Sequence, residues 1–242
     1  MKITAPDYYL NFKCTADSCR HTCCAGWEVD IDEKSLERFR PVPEIFREID
    51  LYDTPHFRLK EGDRCPFLQE NGLCRMIIEK GEDFLCNICR DHPRFRNFFT
   101  GETELGLGLV CEEAARIILS SAHPLALITL SDDGENTALP PDEQYIKDLR
   151  ARLISEITEE GPPARLLEYL IYRHLPDALY DGLLQERIDF IYNSYDEIIS
   201  TWQDTGRSLA ELIEICRRFS YDIEYDDEEL NRRLLYYSST DL

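Results

Sequence analysis

Apolar residues in the second half of the chain recur at helical spacing. After Pro141-Asp142-Glu143, the positions Tyr145, Ile146, Leu149, Leu153, Ile154 and Ile157 form one face, and Gly161-Pro162-Pro163 stops the run. Leu166, Leu167, Leu170 and Ile171 predict a second helix over 164–174, closed by Pro176. A longer stripe, Leu184, Ile188, Ile191, Tyr192, Tyr195 and Ile198, predicts a third helix, with Asp181 placed to cap it. Ser208 opens a fourth through Leu209, Leu212, Ile213 and Cys216. A last helix is expected from Asp226 to Tyr237, acidic in its first turn with Arg232 and Arg233 later, as the helix dipole favours.

The first half is less regular. Trp27 to Asp32 alternates like a short strand, and Asp32 or Ser35 can cap a helix holding Leu36 and Phe39. Asn71-Gly72 predicts a hairpin turn that brings Cys65 and Cys74 together. Cys111, before Glu112-Glu113-Ala114-Ala115, falls at a helix start, where the peptide dipoles favour thiolate. Between the halves, the polar stretch 131–141 (SDDGENTALPP) reads as a linker.

Cysteine usage changes the picture of the first half. Nine of the ten cysteines lie within the first 111 residues: Cys14, Cys19, Cys23 and Cys24, then Cys65, Cys74, Cys86 and Cys89, then Cys111. Thiols grouped in this way serve a metal, an iron–sulfur cluster or a disulfide framework. The opening MKITAPDYYLNFKC has no apolar signal core, and no stretch approaches the apolar length of a membrane span. The expected location is therefore cytoplasmic, where thiols stay reduced and grouped cysteines act as ligands. A chain of 242 residues also has core enough to fold without disulfide staples. Soft thiolates suit zinc and iron–sulfur clusters alike. Cys216, on the apolar face of its helix, is expected to pack as a small hydrophobe.

The fold expected is mainly α. It comprises an irregular cysteine-rich metal-binding domain with short strands over 1–122, a helix end and linker over 123–141, and an acidic all-helical domain over 142–242. Net charge follows the same division. Residues 1–122 carry 16 basic and 22 acidic side chains, residues 123–242 carry 11 and 26, and the whole is −21. Nucleic acid is a poor partner for such a chain, because binding it depends on neutralising phosphates with Lys and Arg. A basic protein partner fits better.

Four blocks carry a resemblance. KCTADSCRHTCCAGWEVDID, CPFLQENGLC, FLCNICRDHPRFRN and LGLVCEEAARIIL, in this order, resemble the flagellin lysine-N-methylase family, part of a larger group of CxxxCxxCC-type proteins described as zinc- or iron-chelating. The resemblance covers about residues 5–119. It implies a protein-lysine N-methyltransferase acting on flagellin or another lysine-bearing protein, with S-adenosylmethionine as donor and a cysteine-bound metal centre. It assigns as metal ligands Cys14, Cys19, Cys23, Cys24, Cys65, Cys74, Cys89 and Cys111. Cys86 stands where the pattern has no cysteine, and is a secondary candidate. An iron–sulfur cluster is the cofactor expected, with zinc as the alternative.

The residues themselves single out no catalytic or donor-binding side chain. The Gly-rich turn of a conventional donor site is absent, since Gly106-Leu107-Gly108 lacks its third glycine. The tight three-cysteine spacing of radical donor-cleaving enzymes is also absent, as Gly26 stands two places after Cys24. His21 and His92 are candidate imidazole ligands or hydrogen-bonding neighbours of the thiols. Arg90, Arg94 and Arg96 form a local basic spot. The competing reading is a non-catalytic metal-binding scaffold or protein-binding module.

Overall fold

The structure, a computed structural model, describes residues 1–121, 124–134 and 137–238. Its strands are β1 (Lys2–Pro6), β2 (Ile49–Asp50), β3 (His56–Phe57), β4 (Arg94–Phe99), β5 (Glu102–Leu107) and β6 (Leu127–Ser131). Its helices are α1 (Glu33–Phe39), α2 (Pro43–Phe46), α3 (Arg75–Lys80), α4 (Asn87–Asp91), α5 (Glu112–Leu119), α6 (Pro141–Ser155), α7 (Pro162–His174), α8 (Ala178–Asp181), α9 (Leu184–Gln203), α10 (Leu209–Phe219) and α11 (Asp227–Ser238). The chain is mainly α, as its periodicity predicts.

Two compact units result, and they do not follow the linker. One unit is Cys14–His92; the other joins Met1–Lys13 to Pro93–Leu242. A division at 123–141 differs from this because strands on both sides of unit 14–92 enter one sheet. β6 also occupies part of the expected linker, pairing with β1. His123, Glu135 and Asn136 of that linker, and Ala122 at the end of the first expected domain, lie outside the described residues.

In the larger unit the sheet runs β4-β5-β1-β6. β4 and β5 form an antiparallel pair from Arg94↔Leu107 to Phe99↔Glu102, turning at Gly101 with φ +74°. β1 lies parallel to β5, with Lys2 opposite Glu102, and antiparallel to β6. Glu104 of β5 is fully buried, and Arg150 of α6 clamps its carboxylate, with Nη2 2.7 Å from Oε1. The bidentate pairing keeps this interior charge from standing alone. The helical stripes meet in one core through Leu166, Leu170, Ile171, Phe190, Ile191, Ile198 and Leu212. Cys216 is fully buried in this core, as its place on the apolar face predicts.

Helix starts follow local chemistry. Ser208 caps α10 in a capping box with Glu211. Asp181 does not cap α9. Leu183 holds that position, while Asp181 accepts the Leu183 N–H at 2.9 Å and pairs with Arg187. In α11 the late arginines return to the first turn, both bonding Glu229.

The smaller unit, 14–92, closes over Val29, Ile31, Phe39, Ile45, Ile49, Phe57, Phe67, Met76 and Leu85. Asp32 caps α1 by accepting the Ser35 N–H at 3.0 Å, and its second oxygen accepts the Asn87 N–H at 2.9 Å. One carboxylate thus ties the start of α1 to the start of α4. Trp27 to Asp32 is not a strand. Val29 and Ile31 alternate into the core, yet the segment makes only a single bridge, Asp30↔His56, against the two-residue β3, which is already paired with β2.

Candidate metal centre

Six thiols gather within the smaller unit. The Asn71-Gly72 turn forms with Gly72 at φ +80° and the Asn71 side chain accepting the Leu73 N–H. It folds Cys74 back to bridge Leu68, in place of two full strands. The Cys65 N–H donates to the Cys24 carbonyl at 2.8 Å, which fixes the second cysteine block against the first. The Sγ atoms of Cys23 and Cys24 lie 4.0 Å apart. Cys86, preceding α4, and Cys89, within it, share a side-chain hydrogen bond. Cys65 and Cys86 are buried in the core of this unit, and Cys24, Cys74 and Cys89 pack against it.

Burial and shared hydrogen bonds shift the protonation of five of these thiols. Burial pushes the Cys65 thiol up to about 11 and raises Cys74 as well. The thiol of Cys23, which is exposed, is raised by its hydrogen bond with Cys24. In the Cys86–Cys89 pair the shared hydrogen bond favours thiolate on Cys86 and holds the proton on Cys89. The neighbours that shift each thiol outline the cluster: Cys74, Cys86 and Cys23 act on Cys65, Cys23 and Cys86 act on Cys74, and Cys86, Cys24 and Cys65 act on Cys89.

As a donor set, five thiols in and against an apolar core, with the exposed Cys23 beside Cys24, have the chemistry of ligands for a thiophilic metal. The convergence of a closed site is not preformed. Among the described residues no group of three or more His, Cys, Asp or Glu side chains is disposed to hold a metal ion. All ten cysteines are free thiols.

The remaining assigned positions stand differently. Cys14 is exposed, and its Sγ accepts the Ala16 N–H at 3.4 Å. Cys19 is half-buried. Cys111 belongs to the larger unit, half-buried at the start of α5 as expected. The basic spot is divided. Arg90 is held by Asn87 and Asp91 in the smaller unit. Arg94, in the larger unit, lies over the rings of Tyr9 and Phe12, 5.8 and 5.1 Å from their centroids. His92 faces Trp27 at 6.4 Å between ring centroids.

Sequence reasoning missed a second polar group, in the larger unit. Glu224 lies on a π-helical turn over Ser220–Glu224, a widening that often marks functional positions. Its buried carboxylate accepts from Tyr169 Oη at 2.9 Å and from His174 Nε2 at 2.7 Å, and Arg173 Nε lies 3.4 Å away. No periodicity announces this group, because Tyr169, Arg173 and His174 come from α7 and Glu224 from about fifty residues later. Elsewhere in this unit, a cleft of about 380 Å³ is lined by Tyr8, Asn11, Arg116 and Ser120. A larger one of about 570 Å³ has a floor of Ile198, Ile215, Phe219 and Ile223, edged by Glu197, Glu214, Asp222 and Glu229 with Arg218 and Arg233. No described helix is long and apolar enough to cross a membrane.

Comparison with known proteins bears on the whole chain. No protein-family model matches it, and no solved structure does. The lysine-N-methylase of Salmonella choleraesuis (strain SC-B67) is 23% identical over 217 residues, covering 82% of this chain and 54% of that protein. The lysine-N-methylase of Salmonella typhimurium (strain LT2) matches to the same extent. The flagellar biosynthetic protein FliU of Salmonella muenchen is 24% identical over 137 residues, covering 52% of this chain and 81% of that protein. The chain spans about half the length of the lysine-N-methylases it matches. Its similarity to the lysine-N-methylases therefore extends beyond the four cysteine blocks, over most of its own length.

Proposed function

We propose that this chain is a lysine N-methylase-like metalloprotein that methylates lysine side chains of flagellin, with S-adenosylmethionine as methyl donor and a thiolate-bound metal centre. The observation that carries the reading is the similarity to lysine-N-methylases over 82% of the chain. The gathering of Cys23, Cys24, Cys65, Cys74, Cys86 and Cys89 supports the metal. The cofactor proposed is an iron–sulfur cluster, with zinc as the alternative, and its thiol ligands release their protons on binding, so affinity falls as pH falls. The lysine amine has to be neutral to accept a methyl group, and a carboxylate-edged cleft with an apolar floor suits the approach of a lysine side chain. The cell compartment proposed is the cytoplasm.

A second reading has its own support. The cysteine-rich unit and the net charge of −21 fit a metal scaffold that holds a basic protein partner without transferring methyl groups. The test is anaerobic purification with iron, zinc and sulfide analysis. Purified flagellin and labelled S-adenosylmethionine are then added, and lysine methylation is read by mass spectrometry. Label on flagellin lysines is the result expected. Bound metal with no label would leave the scaffold reading in its place.

A further inference from the structure

We infer that the outer edge of β6 is a docking strip for an extended basic segment of a partner protein, which joins the sheet as a further strand. The inference goes beyond the proposed reaction, because it concerns how a partner is held and does not depend on methyl transfer.

β6 is the last strand of the sheet, and among the described residues nothing pairs with it on the side away from β1. Its register fixes which groups face that way. The Asp7 N–H donates to the Ala126 carbonyl at 2.9 Å, and Ala5 and Pro6 stand opposite Ile128 and Leu127. Hydrogen-bonded and non-bonded positions alternate in an antiparallel pair, so Ala126 and Ile128 face β1, whereas Leu127 and Thr129 turn their N–H and C=O groups outward. Pro6, which has no N–H, sits opposite Leu127, where none is needed between the two strands. The register slips only between Thr129 and Ser131, so the stretch from Leu127 to Thr129 stays regular. No residue of β6 is buried, and Leu127 is 42% exposed.

Proteins blunt exposed edges with charge, proline or a covering group. The other edge of this sheet is treated so: Tyr180 of α8 donates to the Phe98 carbonyl at 2.7 Å, and Arg94 and Arg96 stand on β4. β6 reads LITLS, without charge or proline. The occupant follows from what brackets the strip. Exposed Asp7 lies beside Ala126 at one end. Exposed Asp132 and Asp133 follow Ser131 at the other, Asp133 being bonded to the Met1 amino group. The span is about six residues, or about 20 Å. An uncharged β-forming stretch with a lysine or arginine at each end matches it in hydrogen bonding and in charge. A second copy does not, because its own carboxylates would meet these across the pair and each chain carries −21.

The probe is a peptide of alternating valine and threonine with lysine at each end and both termini blocked. Binding is read on the full chain by amide hydrogen exchange, followed by NMR. In the free protein the Leu127 and Thr129 amides are expected to exchange freely, while the Ile128 amide, bonded to β1, is slow. The peptide should slow Leu127 and Thr129 at least about tenfold. The same peptide with alternate backbone nitrogens methylated, and one ending in glutamate, should each bind at least about tenfold more weakly. Thr129→Pro removes an outward N–H and no bond to β1, so it should keep a cooperative urea transition yet lose at least about tenfold in affinity. Thr129→Ala keeps the N–H and should match wild type. The exchange measurement on wild type decides the matter whatever the fold of the proline variant. The inference is overturned if the peptide leaves both amides unprotected, or if folded Thr129→Pro binds as wild type does. Protection of both amides in the free chain overturns it too, and if that chain is a dimer the occupant is a second copy. A glutamate-ended peptide that binds as tightly overturns the basic partner.

Discussion

Replacing Glu224 with Gln is the sharpest perturbation of the larger unit. Its carboxyl is held down to about 2 from an ordinary 4.5. Burial opposes that shift, and the Arg173 guanidinium and the His174 hydrogen bond overcome it. Because the folded value is depressed, the stabilisation is complete above pH 4.5 and is lost as pH falls towards 2. At about 1.4 kcal/mol per pH unit, the gap is worth about 3 kcal/mol. The same change leaves Arg173, only 12% exposed, without its counter-ion, a loss already contained in that figure. Urea unfolding read by fluorescence isolates this unit, since Trp202 lies in it and Trp27, the other tryptophan, can be changed to Phe. Glu224→Gln is expected to cost about 3 kcal/mol at pH 7 and to flatten the decline in stability between pH 4.5 and 2.5. Equal stability at pH 7 with an unchanged acid decline would refute the reasoning.

Three further outcomes follow from local geometry. Asp32→Ala removes the cap of α1 and the acceptor of the Asn87 N–H, and should cost about 1–2 kcal/mol in the smaller unit, read by Trp27 fluorescence with Trp202 changed to Phe. Ser208→Ala breaks the capping box of α10 and should cost about 1 kcal/mol, seen as a lower urea midpoint with unchanged slope. In Gly106→Ala, the new methyl collides with the Phe95 ring, so the ring that packs against Tyr169 and Tyr172 has to move. A loss of about 1–3 kcal/mol is expected in thermal unfolding.

The helical half was open to reading because apolar stripes bounded by local signals, Pro141, Gly161, Ser208 and the acidic opening of α11, mark most of its helices, although α7 is buried on every side from Ala164 to Tyr172. The sheet was hidden for the opposite reason. β1 and β6 depend on partners far away in the chain, and their sequences, KITAP and LITLS, are too short for alternation to stand out. The β4–β5 pair did carry a signal, Thr100-Gly101 between two six-residue runs, but the cysteines on either side drew that segment into the metal reading. At the candidate centre, Cys65 and Cys74 were legible from their turn. Cys86 was legible only as a secondary candidate, because its complete burial is a property of the fold and not of spacing along the chain.

The order of the strands also sets a schedule. β1 lies inside the sheet, between β5 and β6, and its parallel partner begins only at Glu102. A chain emerging from the ribosome therefore offers β1 no sheet partner until everything from 14 to 92 has already been made. The cysteine-rich unit has its full sequence, and time to gather its thiols, while its host still lacks a sheet. Slow elongation or cysteine mispairing over that interval would strand β1 as an open edge, so the yield of the larger unit depends on how promptly the inserted one folds.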